Sequence, residues 1–263
     1  MIDIFRNWLR RRAIEQVQIG EQQWQAAEYP LPFLDRLTSA ERQRLRDMAR
    51  EFIATKEWSG ARGMRLTAPM QLSIALQACL PVLNLGLDWY RGWVGVVVYP
   101  GDFVIPRQVT DEAGVVHEYD DEVLGEAWEG GPVLVSWFDD MNPLGDINIV
   151  IHEFVHKLDM TNGEVDGMPA LHEGMSRTEW NASFEPAYED FRRRVKVAEM
   201  RGTDTEIDPY AAEHPSEFFA VLSEVFFEAP DLLLAEYPVV YSQLACFYRQ
   251  DPLRPTSASA IPA

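Results

Sequence analysis

The stretch Ile147-Asn148-Ile149-Val150-Ile151-His152-Glu153-Phe154-Val155-His156-Lys157-Leu158-Asp159 decides how the rest of the chain is read. At about 100° per residue, Ile147, Val150, Ile151, Phe154, Val155 and Leu158 fall on one broad apolar arc, so an amphipathic helix is expected. His152 and His156 lie one turn apart on the opposite side, with Glu153 just around the corner. Two imidazoles at i and i+4 can both reach one Zn2+ at about 2.0–2.1 Å, and the Glu between them can reach a water on that metal. The plainer alternative is two histidines satisfied at a helix surface. Histidine is scarce here, five in 263 residues, and the full H-E-x-x-H pattern weighs toward the metal.

A catalytic zinc takes three protein ligands and leaves the fourth position to water. The metzincin variant of the motif needs Gly at position 159 and His at 162, where this chain has Asp159 and Asn162, so that class fails. His117, His172 and His214 have no partner pattern and are expected in structural polar roles. A Glu on a second helix is the remaining common solution. Residues 215–228 form such a helix, with Pro215 in the first turn and Phe218, Phe219, Leu222, Val225 and Phe226 on its apolar arc. Glu217 can point at the zinc from this helix, and Glu224, two turns on, can orient a ligand histidine. An exposed helix charge is the alternative for any single Glu. It is weaker for Glu217, because the apolar arc buries the helix.

Outward from these two helices, residues 38–55 begin with the capping-box spacing of Thr38 and Glu41. Another helix opens near Thr67 and runs to the interruption at Pro81. The period then changes, and residues 93–99, 103–106, 115–119 and 132–138 are expected as strands. Residues 139–145 read as a turn, 164–180 as a loop, 177–200 as a helix and 239–248 as a final helix. The order helices, strands, helices argues for an α+β domain rather than a repeating β-α-β sheet.

Apolar content of 47% with 25% charged residues is that of a soluble globular protein. The net charge of −19 argues against a nucleic-acid or anionic-membrane binder, since phosphate contacts need clustered Lys and Arg. No stretch approaches about 18 uncharged apolar residues, and residues 1–12 lack a signal-peptide core, so a cytoplasmic location is expected. Cys79 and Cys246 have neither metal-site nor disulfide-framework spacing. Buried free thiols are expected, with a single bridge as the alternative. The short amphipathic run of Ile4, Phe5, Trp8 and Leu9, followed by Arg10, Arg11 and Arg12, is too short for stable membrane anchoring.

The chain resembles the Mlc titration factor A family of bacterial zinc peptidases. The likeness rests on residues 151–159, on Tyr210-Ala211-Ala212 and on Phe219-Ala220-Val221-Leu222-Ser223-Glu224, with weaker likeness at 79–83 and 247–253. The family's catalytic region is similar in turn to the catalytic domain of anthrax lethal factor. The departure from that protein is Val221, where it has an acidic residue. The resemblance implies a zincin-like metallopeptidase domain with a small mixed or antiparallel sheet over residues 36–253, preceded by an N-terminal segment, 1–35, and followed by a flexible tail, 254–263. It implies one Zn2+ on His152, His156 and Glu217, with Glu153 as general base and Tyr210 as a stabiliser of the transition state. An aminopeptidase-like activity on short peptides follows, with residues 132–138 expected as the sheet edge that receives the substrate. The resemblance also implies binding of the transcriptional repressor Mlc, which would relieve repression of sugar-uptake genes. A non-catalytic repressor-binding protein with a structural zinc site is the alternative.

Overall fold

A computed structural model of the chain describes residues 10–101, 103–110, 116–123, 125–138 and 148–254. The run from Ile4 to Leu9, the turn at 139–145, Ile147 and residues 255–263 of the tail lie outside them. The elements in order are α1 (residues 10–16), α2 (Glu21–Glu28), α3 (Ser39–Thr55), β1 (Glu57–Gly60), α4 (Ala68–Cys79), β2 (Gly95–Pro100), β3 (Phe103–Thr110), β4 (Val116–Val123), β5 (Gly125–Ala127), β6 (Val133–Trp137), α5 (Ile149–Asp159), α6 (Arg177–Arg201), α7 (Pro215–Glu228), α8 (Pro230–Glu236) and α9 (Pro238–Tyr248). The architecture is α+β, as the order of periods predicts.

The sheet order is β1-β2-β6-β5, with β1, β2 and β6 parallel and β5 antiparallel to β6. β3 and β4 form a separate antiparallel hairpin. In register, Val96 faces Val133 and Val98 faces Val135. All four valines are fully buried, and by strand alternation they share the face that packs on the helices. This placement corrects the expected substrate edge. Strand β6, within 132–138, lies between β2 and β5, and the edge beside it is the three-residue β5, which sequence reading missed along with β1. Both are too short to show a period, and their Gly, Ser and Glu residues have low strand propensity.

The helix α5 departs from the amphipathic expectation in an instructive way. Every residue from Ile149 to Asp159 is buried, the charged ones included. Its apolar side seats Phe154 among Phe52, Tyr90 and Trp93, with ring centroids 5.5–5.8 Å apart. Burying such a ring contributes about 2–3 kcal/mol. The polar side cannot meet water, so it must find partners inside the protein. The start of the helix is set by Asn148, whose Oδ1 accepts from the Ile151 N–H at 2.9 Å. Its end passes into a short 3₁₀ turn and stops at Gly163, at φ +91°.

The helix at Ser39–Thr55 carries its capping box, with Thr38 N–H donating to Glu41 Oε2 at 2.9 Å. Ahead of it, Trp24, Ala27, Leu31, Phe33 and Leu34 are buried and join the same core as the metal-motif helix.

Candidate metal centre

The two motif helices bring their polar sides together. His152 Nε2 stands 3.0 Å from Glu217 Oε2, His156 Nε2 stands 3.2 Å from the same oxygen, and the two Nε2 atoms are 3.0 Å apart. Among the described residues, His152, His156 and Glu217 form the cluster able to hold a metal ion. Three lone-pair atoms held this close, with no Lys or Arg of the described residues bonded among them, fit a cation at their centre. Bonds of about 2.0 Å in a tetrahedron put ligand atoms about 3.3 Å apart, close to the spacing found.

The polar partners behind these atoms are specific. His152 Nδ1 meets Glu224 Oε1 at 2.7 Å, which leaves Nε2 free to present its lone pair. Glu224 Oε2 accepts the Asn148 N–H at 2.7 Å, and the Asn148 amide donates to Gln77 Oε1 and Glu228 Oε1 at 2.9 and 2.7 Å. Glu224 thus stands behind a histidine, His152, while Val221, the departure from lethal factor, is buried in the core. Asn148 is a residue sequence reading missed. A helix-cap Asn just ahead of the motif was its signal.

Burial opposes charge throughout this cluster, and hydrogen bonds decide which groups keep it. On His152, the bonds to Glu217 and Glu224 outweigh burial and raise the imidazole well above its usual range. On Glu217, bonds from both histidines outweigh burial and hold the carboxylate well below its usual range. Burial dominates at Glu224 and raises it.

Glu153 is the exception. It is 5% exposed, its Oε2 has no hydrogen-bond partner among the described residues, and burial pushes its carboxyl up to about 7. A carboxylate so placed is poised to take a proton near neutral pH. The backbone of Gly125, on edge strand β5, presses against its side chain, and a Cβ there would overlap the carboxylate. Sequence reading missed Gly125. One turn on from Glu153, Lys157 Nζ donates to the carbonyls of Trp128 and Gly131, at 2.9 Å for the latter, tying the β5–β6 turn to the same helix.

Tyr210 lies in a 3₁₀ turn ahead of α7, half exposed, with its ring centroid 6.1 Å from that of His152. His214 caps α7 by accepting the Ser216 N–H at Nδ1, and His172 bonds to carbonyls at Glu173, Cys246 and Phe247, so both do structural work. His117 lies in β4, and its side chain is outside the described residues. Both cysteines are free. Cys79 is buried as expected, whereas Cys246 is exposed, because only one side of α9 packs inward.

An α+β domain with this mixed sheet and packed helices is a zincin-like metallopeptidase fold. The sequence matches the family described as glucose-regulated metallo-peptidase M90 over residues 5–249, and the chain belongs to it. It is 38% identical over 234 residues to proteins named Mlc titration factor A from Yersinia pestis (strain Pestoides F) and Yersinia pseudotuberculosis serotype O:1b (strain IP 31758). Each match covers 88% of this chain and 85% of the relative. Among the described residues, no helix is long and apolar enough to cross a membrane.

Proposed function

We propose that this protein is a cytoplasmic zinc-dependent peptidase of the HExxH-plus-Glu type, with aminopeptidase-like activity on short peptides. The observation that carries this reading is the convergence of His152 Nε2, His156 Nε2 and Glu217 Oε2 beside a buried Glu153. His152, His156 and Glu217 would hold the ion. When bound, zinc supplies a Lewis acid that polarises a carbonyl and lowers the pKa of water toward about 7. Glu153 takes the proton from the attacking water and passes it to the leaving amine, a role suited to a carboxyl raised to about 7. The Tyr210 hydroxyl donates to the oxyanion as it develops. The peptide adds as a further strand beside β5, the edge nearest Glu153. Free thiols in both cysteines fit a reducing compartment.

The test is metal analysis combined with digestion of a peptide library by wild type and Glu153→Gln. One zinc per chain, with cleavage lost only in the variant, supports the assignment. Equal turnover in the two proteins removes Glu153 from the mechanism.

A second role is proposed alongside the first, on the strength of the relatives' name, Mlc titration factor A. This chain binds a Mlc-like repressor, and its acidic surface suits a basic DNA-binding protein. Chelated protein that still captures purified Mlc while losing cleavage separates the two roles. Capture of Mlc by a protein that carries zinc but never cleaves would favour the non-catalytic alternative.

A further inference from the structure

The candidate ligands come from two helices far apart in sequence, and something must hold their separation to a few tenths of an ångström. Asp159, the last residue of α5, is completely buried. Both of its carboxylate oxygens accept the Gly167 N–H, at 3.1 and 3.0 Å. The Gly167 carbonyl accepts the Trp180 indole N–H at 3.1 Å, so this peptide is gripped from two directions. Gly167 has φ +81°, a conformation that favours glycine. A Cβ there would drive into the Pro215 carbonyl group and stand 3.3 Å from the Ser216 nitrogen. The 166–168 backbone is thus a wedge between the end of the metal helix and the first turn of α7. Glu217 stands one residue beyond Ser216.

We propose that Asp159 is a positioning residue for the third ligand: by holding Gly167 against Pro215 and Ser216, it sets Glu217 relative to His152 and His156. The inference rests on the reading of Glu217 as a metal ligand. The alternative placement is a loose one, because Pro215 brings no N–H to the start of α7 and the cap from His214 is local to that helix. The bonds of His152 and Asn148 to Glu224 join the two helices two turns beyond Glu217, and the wedge is what braces the first turn, where Glu217 stands. Ligand geometry tolerates about 0.5 Å of error before binding suffers.

The experiment is a competition titration of zinc against a chromophoric chelator, on the full chain, in single and double variants. Asp159→Ala is expected to weaken zinc binding by about 10- to 100-fold, the usual loss when a ligand's support is removed. Asp159→Asn keeps a carbonyl acceptor for Gly167 and should recover most of that loss. Gly167→Ala leaves Asp159 intact but displaces the wedge, and should weaken zinc in the same range. Glu217→Ala is the decisive background, because there neither Asp159→Ala nor Gly167→Ala should change the affinity further. The proposal is overturned if Asp159→Ala or Gly167→Ala, folded by circular dichroism, binds zinc as wild type does. It is equally overturned if the loss persists in full without Glu217, which would mark a general loosening of the histidine pair. If Asp159→Ala does not fold, Gly167→Ala and its double variant decide between these outcomes. Unchanged zinc affinity in Glu217→Ala alone would instead remove the ligand reading itself, an outcome seen before any Asp159 variant is measured.

Discussion

Two buried acidic clusters in this molecule settle their charge in opposite ways. Glu28, in α2, accepts from Arg42 at 2.9 Å and from Arg46 at 2.6 and 3.0 Å. Burial works against its charge, but the two guanidiniums outweigh it and hold the carboxyl below its usual range. Every acceptor there has a donor. Around His152 and His156, Glu153, Glu217 and Glu224 crowd together with no arginine bonded to them among the described residues. Glu153 is raised to about 7 and Glu224 is raised as well, both by burial. A cluster that the protein balances itself holds structure together. A cluster left short of positive charge needs something from outside, which is why such sites point to function.

The sharpest way to break the contrast is Glu153→Gln. It should keep zinc while lowering kcat by about a thousandfold, the scale of a lost general base, as measured by steady-state cleavage with metal analysis. Chelation comes next. At a free metal level near a thousand times Kd, bound zinc stabilises by about 4 kcal/mol, so excess chelator should lower Tm by about 10 °C in a domain of this size. The Glu217→Ala protein should show little of that drop.

Glu28→Gln should cost about 2 kcal/mol in denaturant unfolding, with or without zinc. Its sign with pH follows from the lowered carboxyl. The stability that wild-type Glu28 contributes is present above about pH 4.5 and fades as pH falls, so the two proteins should converge in acid. The smallest effect belongs to Lys56, whose Nζ donates to the Tyr90 and Trp93 carbonyls and lies 3.5 Å from the Trp93 ring centroid. Burial lowers it to about 8, with Lys157 adding to the shift. The unfolded chain then binds more protons than the folded one between about pH 8 and 10.5, so wild-type stability gains with rising pH there. Lys56→Met should flatten that slope, and an unchanged slope would show that the lysine keeps its charge.

How much of this was legible beforehand differs between neighbouring elements. The motif helix, α7 and the capped helix at Ser39 were plain, because a 3.6-residue period needs only local sequence to show itself. Strands β1 and β5 were not, since three or four residues carry no period. The edge was therefore assigned to the longer strand β6, when β5 occupies it. Residues 1–35 are expected as an N-terminal segment, and within them Trp24 and Phe33 lie in the core. Glu217 could be singled out by its helix, and Glu224 by its spacing two turns on. Asn148, Gly125 and Gly167 could not, because each matters through what another segment brings against it.

By itself the sequence determined the α+β class, the pair of imidazoles one turn apart and the family. The imidazole pair depends on spacing within one helix, the class on the order of periods along the chain, and the family on likeness spread over several segments. Only the tertiary structure decided that α5 has no solvent face, that His152 is the histidine Glu224 backs, and that Asp159 bonds the Gly167 peptide packed against Pro215. These rest on contacts between segments up to 72 residues apart, and such contacts come from packing, which no local pattern encodes.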